Sequence, residues 1–205
     1  MIDLKKIYNL NLIDVLRNAC LTWDYKFFEN GDYNLNIIGI RNKERTSNTF
    51  NDFITVLFKD KGSWVTKIYP ATTDPGKTYL NSPMSSSGTA ILVPYQYRGV
   101  YTLGLHKGQY TALVQQKGEV AVYRDTNKDS TLDFDPRTIA HGYFGINIHR
   151  SSKTGTSIDV NNWSAGCQVL DNIDNYNEFI KICTKSKDIY GNRFTYTLFD
   201  QRQIE

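Results

Sequence analysis

The chain has 205 residues, of which 40% are hydrophobic and 22% charged, and a net charge of +3. That length supports one substantial core or two small ones, and the balance is that of a globular protein. No Lys/Arg run exceeds two residues, which excludes a nucleic-acid footprint in the composition, and no apolar run approaches membrane-span length.

Residues 4–28 predict an amphipathic helix, with Leu12, Ile13, Val15, Leu16 and Ala19 as its apolar stripe. Asn30-Gly31-Asp32 ends it, and Leu35–Ile40 reads as a strand. Residues 41–50 are polar and read as loop. Phe53–Phe58 and Trp64–Tyr69 flank the turn Lys59-Asp60-Lys61-Gly62, so they predict a hairpin. Asp74-Pro75-Gly76 is a turn and Ser82–Gly88 a flexible loop. Strand-like runs follow at Ala90–Val93, Val100–Leu105, Tyr110–Val114, Val120–Arg124, Tyr143–Ile148 and Gly166–Leu170. Asp174–Thr184 returns to helical spacing, with Tyr176, Phe179, Ile180 and Cys183 on one side. Arg193–Phe199 closes the chain as an alternating strand. The expected architecture is mainly β (α+β): residues 1–50 form a helical segment and strand packed on the core, and residues 51–205 form one β-rich domain.

The chemistry concentrates in two short stretches, Gly145-Ile-Asn-Ile-His-Arg150 and Trp163-Ser-Ala-Gly-Cys167. A thiol needs a base to become nucleophilic near neutral pH, and imidazole is well matched to that task. Cys167 is thus the candidate nucleophile and His149 the candidate general base. His149 is read as continuing the alternation of Ile146 and Ile148 on their face of a strand. Gly166 frees the backbone before the thiol, so the N–H groups of Gly166 and Cys167 are candidate oxyanion donors. Ser164 either takes a direct part or is a turn residue bonding its own backbone. Trp163 either walls a substrate groove or packs as an aromatic. His106, in Leu103-Gly104-Leu105-His106, either faces the cleft and contacts substrate or is a packed strand residue.

There are three cysteines, an odd number without regular spacing, so no disulfide framework is expected. Cys20 and Cys183 fall in helical stretches and read as buried packing residues. Asp125, Asn127, Asp129 and Asp133 occupy positions 1, 3, 5 and 9 of an EF-hand-like loop. Position 6 is Ser130 and position 12 is Pro136, so the match is partial. The alternatives are a structural calcium ion and a solvated acidic loop.

His149 followed 18 positions later by Cys167 in Ser164-Ala165-Gly166-Cys167 resembles the signature of the L,D-transpeptidases, the YkuD-like fold of cell-wall enzymes. Phe53–Gly62 resembles that family's opening hairpin, and Tyr69–Gly76 its next strand and turn. The likeness covers about residues 53–199. It implies a YkuD-like β-sandwich or barrel core, a helix after the catalytic cysteine, and acyl transfer on peptidoglycan stem peptides with no cofactor required. It also implies that a backbone carbonyl of the residue after the histidine, here Arg150, orients the ring. Two positions depart from the pattern. Arg150 stands where the family usually has Gly, and Gln168-Val169 where it usually has Ile/Val-Arg, an arginine near the substrate site. Arg150 and Gln168, with His106 and Trp163, are therefore candidate substrate contacts. An insertion from Tyr79 to Arg137 exceeds the family's compact core. The pattern is similar to phage-encoded proteins, and the absence of a recognisable export signal suits a soluble protein made in the cytoplasm and delivered by lysis or in a virion. The competing expectation is a non-catalytic cell-wall-binding or virion module that keeps the fold.

Overall fold

The computed structural model describes residues 11–205. The expected helix thus lies partly outside the described residues, at 4–10. Within them it runs as α1, Leu12–Thr22, and stops well before residue 28. Leu12, Leu16, Ala19 and Cys20 are its buried positions, the i, i+4, i+7, i+8 stripe of an amphipathic helix.

The protein is mainly β. The strands are β1 (Asn36–Arg41), β2 (Asp52–Asp60), β3 (Ser63–Thr72), β4 (Thr89–Leu92), β5 (Gln96–His106), β6 (Tyr110–Gln115), β7 (Val120–Asp125), β8 (Ala140–Gly142), β9 (Ile148–Arg150), β10 (Gln168–Leu170) and β11 (Phe194–Asp200). The helices α2 (Lys77–Asn81) and α3 (Ile173–Tyr190) complete the described elements, with short 3-10 turns. Among the described residues no helix is long and apolar enough to cross a membrane.

Eight strands close into a barrel in the order β1-β11-β5-β6-β9-β10-β3-β2. The β2–β3 hairpin pairs from Asp60↔Ser63 to Asp52↔Ala71. Its two-residue turn takes positive φ at Lys61 and Gly62, the twist that suits a right-handed hairpin. Two contacts are parallel, β1 with β11 and β9 with β10. The strand from the N-terminal segment is therefore a stave between β11 and β2, continuous with the barrel. β4, β7 and β8 form a separate three-stranded sheet. The segment 79–137 thus serves both structures, giving β5 and β6 to the barrel and β4 and β7 to the second sheet.

Period-two alternation sorts the side chains. Ile37, Ile54, Val56, Tyr69, Leu113, Ile148 and Tyr196 share one core with Tyr176, Phe179, Ile182 and Cys183 of α3. Ile38, Ile40 and Leu57 point the other way and bury Leu12, Leu16 and Cys20 of α1. Asn172 starts α3 by accepting from the N–H groups of Asp174 and Asn175, an N-cap. All three cysteines are free thiols, with Cys20 and Cys183 buried.

One expected strand is absent and one short helix is unexpected. Tyr143–Ile148 is not a strand before Ile148. There the backbone N–H groups of Phe144 and Ile146 are held by the Gln115 side chain, and Gly145 takes φ +68°, which breaks the ladder. The short helix α2 has no expectation behind it, since one turn leaves too brief a period to read.

Candidate active site

The parallel β9–β10 contact builds the site. Gln168 pairs with Ile148 and Val169 with His149. One step back along that register sets Cys167 beside Asn147, and the Gln168 N–H does donate to Asn147 O at 2.9 Å. Cys167 and His149 are therefore on the same face, two positions apart, with diagonal Cα separations of about 7–8 Å in paired strands. The face is not the one expected from sequence. Ile146 and Ile148 are even positions and belong to the barrel core. His149 is odd, so it points away from that core together with Asn147. A period of two cannot place 146, 148 and 149 on one side.

His149 is oriented by its neighbour. Its Nδ1 lies 2.7 Å from Arg150 O, the acceptor the resemblance implies. A carbonyl only accepts, so Nδ1 carries the proton and Nε2 is left with its lone pair. The Tyr110 hydroxyl stands 3.3 Å from the same Nδ1 and 3.5 Å from the same carbonyl. Arg150 lays its guanidinium over the Tyr110 ring, 4.0 Å from the centroid.

His106 stacks on His149, with ring centroids 4.1 Å apart and planes 27° from parallel. The Gln115 N–H donates to Asn147 Oδ1, so the Asn147 amide turns its NH₂ to His106 Nδ1 at 3.1 Å. That bond leaves the His106 proton on Nε2. Burial lowers both imidazoles, His149 to about 3 and His106 to about 4. After burial, His106 and Lys107 oppose charge on His149, and Lys107 and Arg150 oppose it on His106. Both rings are neutral at pH 7.

The thiol is partly exposed. Asn147 N–H donates to Sγ at 3.4 Å, and the S–H points to Gly145 O, also at 3.4 Å. Burial raises the Cys167 pKa, while the Asn147 N–H and the nearby Lys107 charge act to lower it. Among the described residues Sγ makes no direct hydrogen bond to the His149 ring. The resting pair is thiol and imidazole, not thiolate and imidazolium.

The loop before Cys167 is held from within. Ser164 is fully buried; its Oγ donates to Cys167 O at 2.8 Å and accepts from Gly166 N–H at 3.1 Å. This is the turn-forming alternative for Ser164. It also engages the Gly166 N–H, so of the two expected oxyanion donors only Cys167 N–H is without an acceptor among the described residues. Gly166 takes φ +122°, and a Cβ there would sit 2.4 Å from Ala90 O of β4. Only glycine fits where the cysteine loop rests on the second sheet.

The other expected contacts divide. His106 joins the site. Arg150 reaches it through Tyr110. Trp163 is 38% exposed on the loop surface, and its backbone N–H donates to Val160 O at 2.8 Å. Gln168 is placed elsewhere: it is fully buried on the barrel's inner face, accepting from Tyr196 Oη at 2.9 Å and donating to Thr73 O at 3.4 Å. Sequence adjacency to the cysteine misplaces it, because the next residue in a strand faces the opposite way. In the acidic loop the Asn127 amide bridges Asp129 at 3.0 Å and Asp133 at 2.8 Å. Among the described residues no group of three His, Cys, Asp or Glu side chains is arranged to hold a metal.

Asn147, Tyr110 and Lys107 are site residues that the sequence reading missed. Asn147 was legible. It alternates with His149 between two isoleucines, and a polar residue in that row has the same claim to the same face. Tyr110 and Lys107 come from the β5–β6 hairpin, and nothing local in the chain ties them to His149.

Compared with family models, curated proteins and solved structures, the chain gives no match.

Proposed function

We propose that the protein is a cysteine acyltransferase or peptidase of L,D-transpeptidase type acting on peptide substrates, with peptidoglycan stem peptides as the substrate class. One observation supports this most. A partly exposed thiol and an imidazole whose Nε2 lone pair is set free by an Nδ1–H···O=C bond share one face of a parallel strand pair. In this reading Cys167 attacks the peptide carbonyl carbon as its proton passes to His149 Nε2. The tetrahedral oxyanion takes the Cys167 N–H. The C–N bond then breaks, and the amine leaves with the proton from His149, giving a thioester on Sγ. An amine or water resolves the thioester by the reverse proton path. Because thiol and imidazole are both neutral at rest, the proton moves only as charge develops on the substrate.

The test is turnover of muropeptides. The wild-type protein should convert them, whereas Cys167→Ala and the iodoacetamide-alkylated protein should not. Activity that survives either change would defeat the mechanism. A second reading, a wall-binding or virion module that retains the fold without catalysis, draws on the raised thiol pKa and the lack of a direct Sγ–imidazole bond. It predicts intact muropeptides together with retained binding to sacculi.

A further inference from the structure

The cysteine loop leans on the second sheet, and a cavity of about 280 Å³ opens beside that contact. Ala90, Arg124, Phe144 and Ala165 are among its walls. It borders two segments that flank Cys167, although Cys167 itself does not line it. Ala165 lies within the Ser164–Cys167 loop, and Phe144 precedes Gly145, whose carbonyl accepts the Cys167 S–H.

Arg124 of β7 is the charged group in this wall. Its guanidinium lies over the Phe144 ring, 4.4 Å from the centroid. Nη1 donates to Gly88 O at 3.3 Å, and the buried Nε has no hydrogen-bond partner. Among the described residues no carboxylate forms an ion pair with Arg124, in contrast to Arg41, Arg45, Arg137 and Arg202. Burial lowers its pKa, the expected sign for a cation short of solvent and of a counter-charge. A partly buried guanidinium is costly until an anion meets it. Stacking on a ring edge-locks the planar fork, the form in which arginine takes a carboxylate.

We infer that Arg124 binds a carboxylate of the acyl-donor peptide, one lying within a residue or two of the bond that Cys167 attacks. This rests on the acyl-transfer reading above and names the substrate feature that the site selects: an anionic peptide rather than a neutral one. Arg124 touches the substrate in this account, but no proton passes through it.

The test uses the full-length Cys167→Ala protein, which cannot turn over. It is titrated by calorimetry with the tetrapeptide L-Ala-γ-D-Glu-L-Lys-D-Ala, with its C-terminal amide, and with the amide of its glutamate α-carboxyl. One of the two amides should bind about tenfold or more weakly than the acid, the loss expected for a charge-assisted hydrogen bond. Adding Arg124→Gln should remove that discrimination, and Arg124→Lys should keep part of it, so a poorly folded glutamine variant does not block the test. Equal binding of all three peptides, no binding by any, or discrimination that persists in Arg124→Gln would overturn the inference. Thioester formation by the wild-type protein reports separately on the acyl-transfer reading, so the two can fail independently.

Discussion

At the residue scale, the site is a neutral pair held by backbone. His149 is fixed through one nitrogen by Arg150 O and flanked by a second neutral ring, and Cys167 sits under an N–H donor. The pH dependence of thiol chemistry follows from this. The Cys167 pKa is raised by burial, so the thiolate population at neutral pH is small and grows as pH rises. The alkylation rate by iodoacetamide should climb about tenfold per pH unit from 6 to 8, below the raised thiol pKa. A flat rate over that range would indicate a preformed thiolate–imidazolium pair and contradict the neutral one. Gly166→Ala puts a Cβ against Ala90 O at a φ that suits only glycine. Its expected cost is about 1–3 kcal/mol or more, read by denaturant unfolding, with loss of Cys167 reactivity. That Cys167 and His149 are the candidate pair was legible in the sequence, because thiol, glycine and histidine carry their chemistry in their identities, and the structure brings the two onto one face. The facing of His149 and Gln168 was not, because one residue of error in a strand inverts the side.

At the element scale, long periodic segments were legible and short ones were not. The β2–β3 hairpin follows its Lys61-Gly62 turn, and α3 follows its apolar spacing. β9 and β10 are three residues each, too short for a period, yet their pairing makes the site. Their position depends on α3, which begins three residues after β10 and buries Phe179 completely against Tyr69 and the barrel core. Phe179→Ala should destabilise the fold by about 3–5 kcal/mol in urea unfolding. It should also slow Cys167 labelling less than it lowers stability, because it opens a cavity away from the face that carries the thiol.

At the scale of the whole molecule, the barrel closes through β1, which the sequence reading set apart as part of a flanking segment. No local pattern announces a parallel contact between residues 36–41 and 194–200. Next to this closure a buried polar network joins barrel and second sheet. Arg41 is fully buried and pairs with Asp74 at 2.8 Å, and it donates to Leu92 O of β4 and to Thr73 O. Arg41→Met leaves Asp74 buried without its cation, and the expected loss is about 3–5 kcal/mol. Asp52 belongs to the same network, accepting from Asn42 N–H and Thr73. Burial, then Asp74, raises its pKa to about 7. A carboxyl raised above its unfolded value of about 3.9 holds a proton that the unfolded chain releases. Its stabilising contribution is therefore full below about pH 4 and declines as pH rises through 7. The stability difference between wild type and Asp52→Asn should decline across that window, and a difference that rises would contradict the assignment.

Under the proposed function, Cys167 Sγ forms a thioester with a peptide. Intact-mass spectrometry of the protein after incubation with muropeptides reads this directly. An acyl adduct on the protein is expected, lost in Cys167→Ala and strongly reduced in His149→Ala. An unmodified thiol after incubation with substrate that is visibly consumed, or an adduct that forms equally without His149, would contradict it.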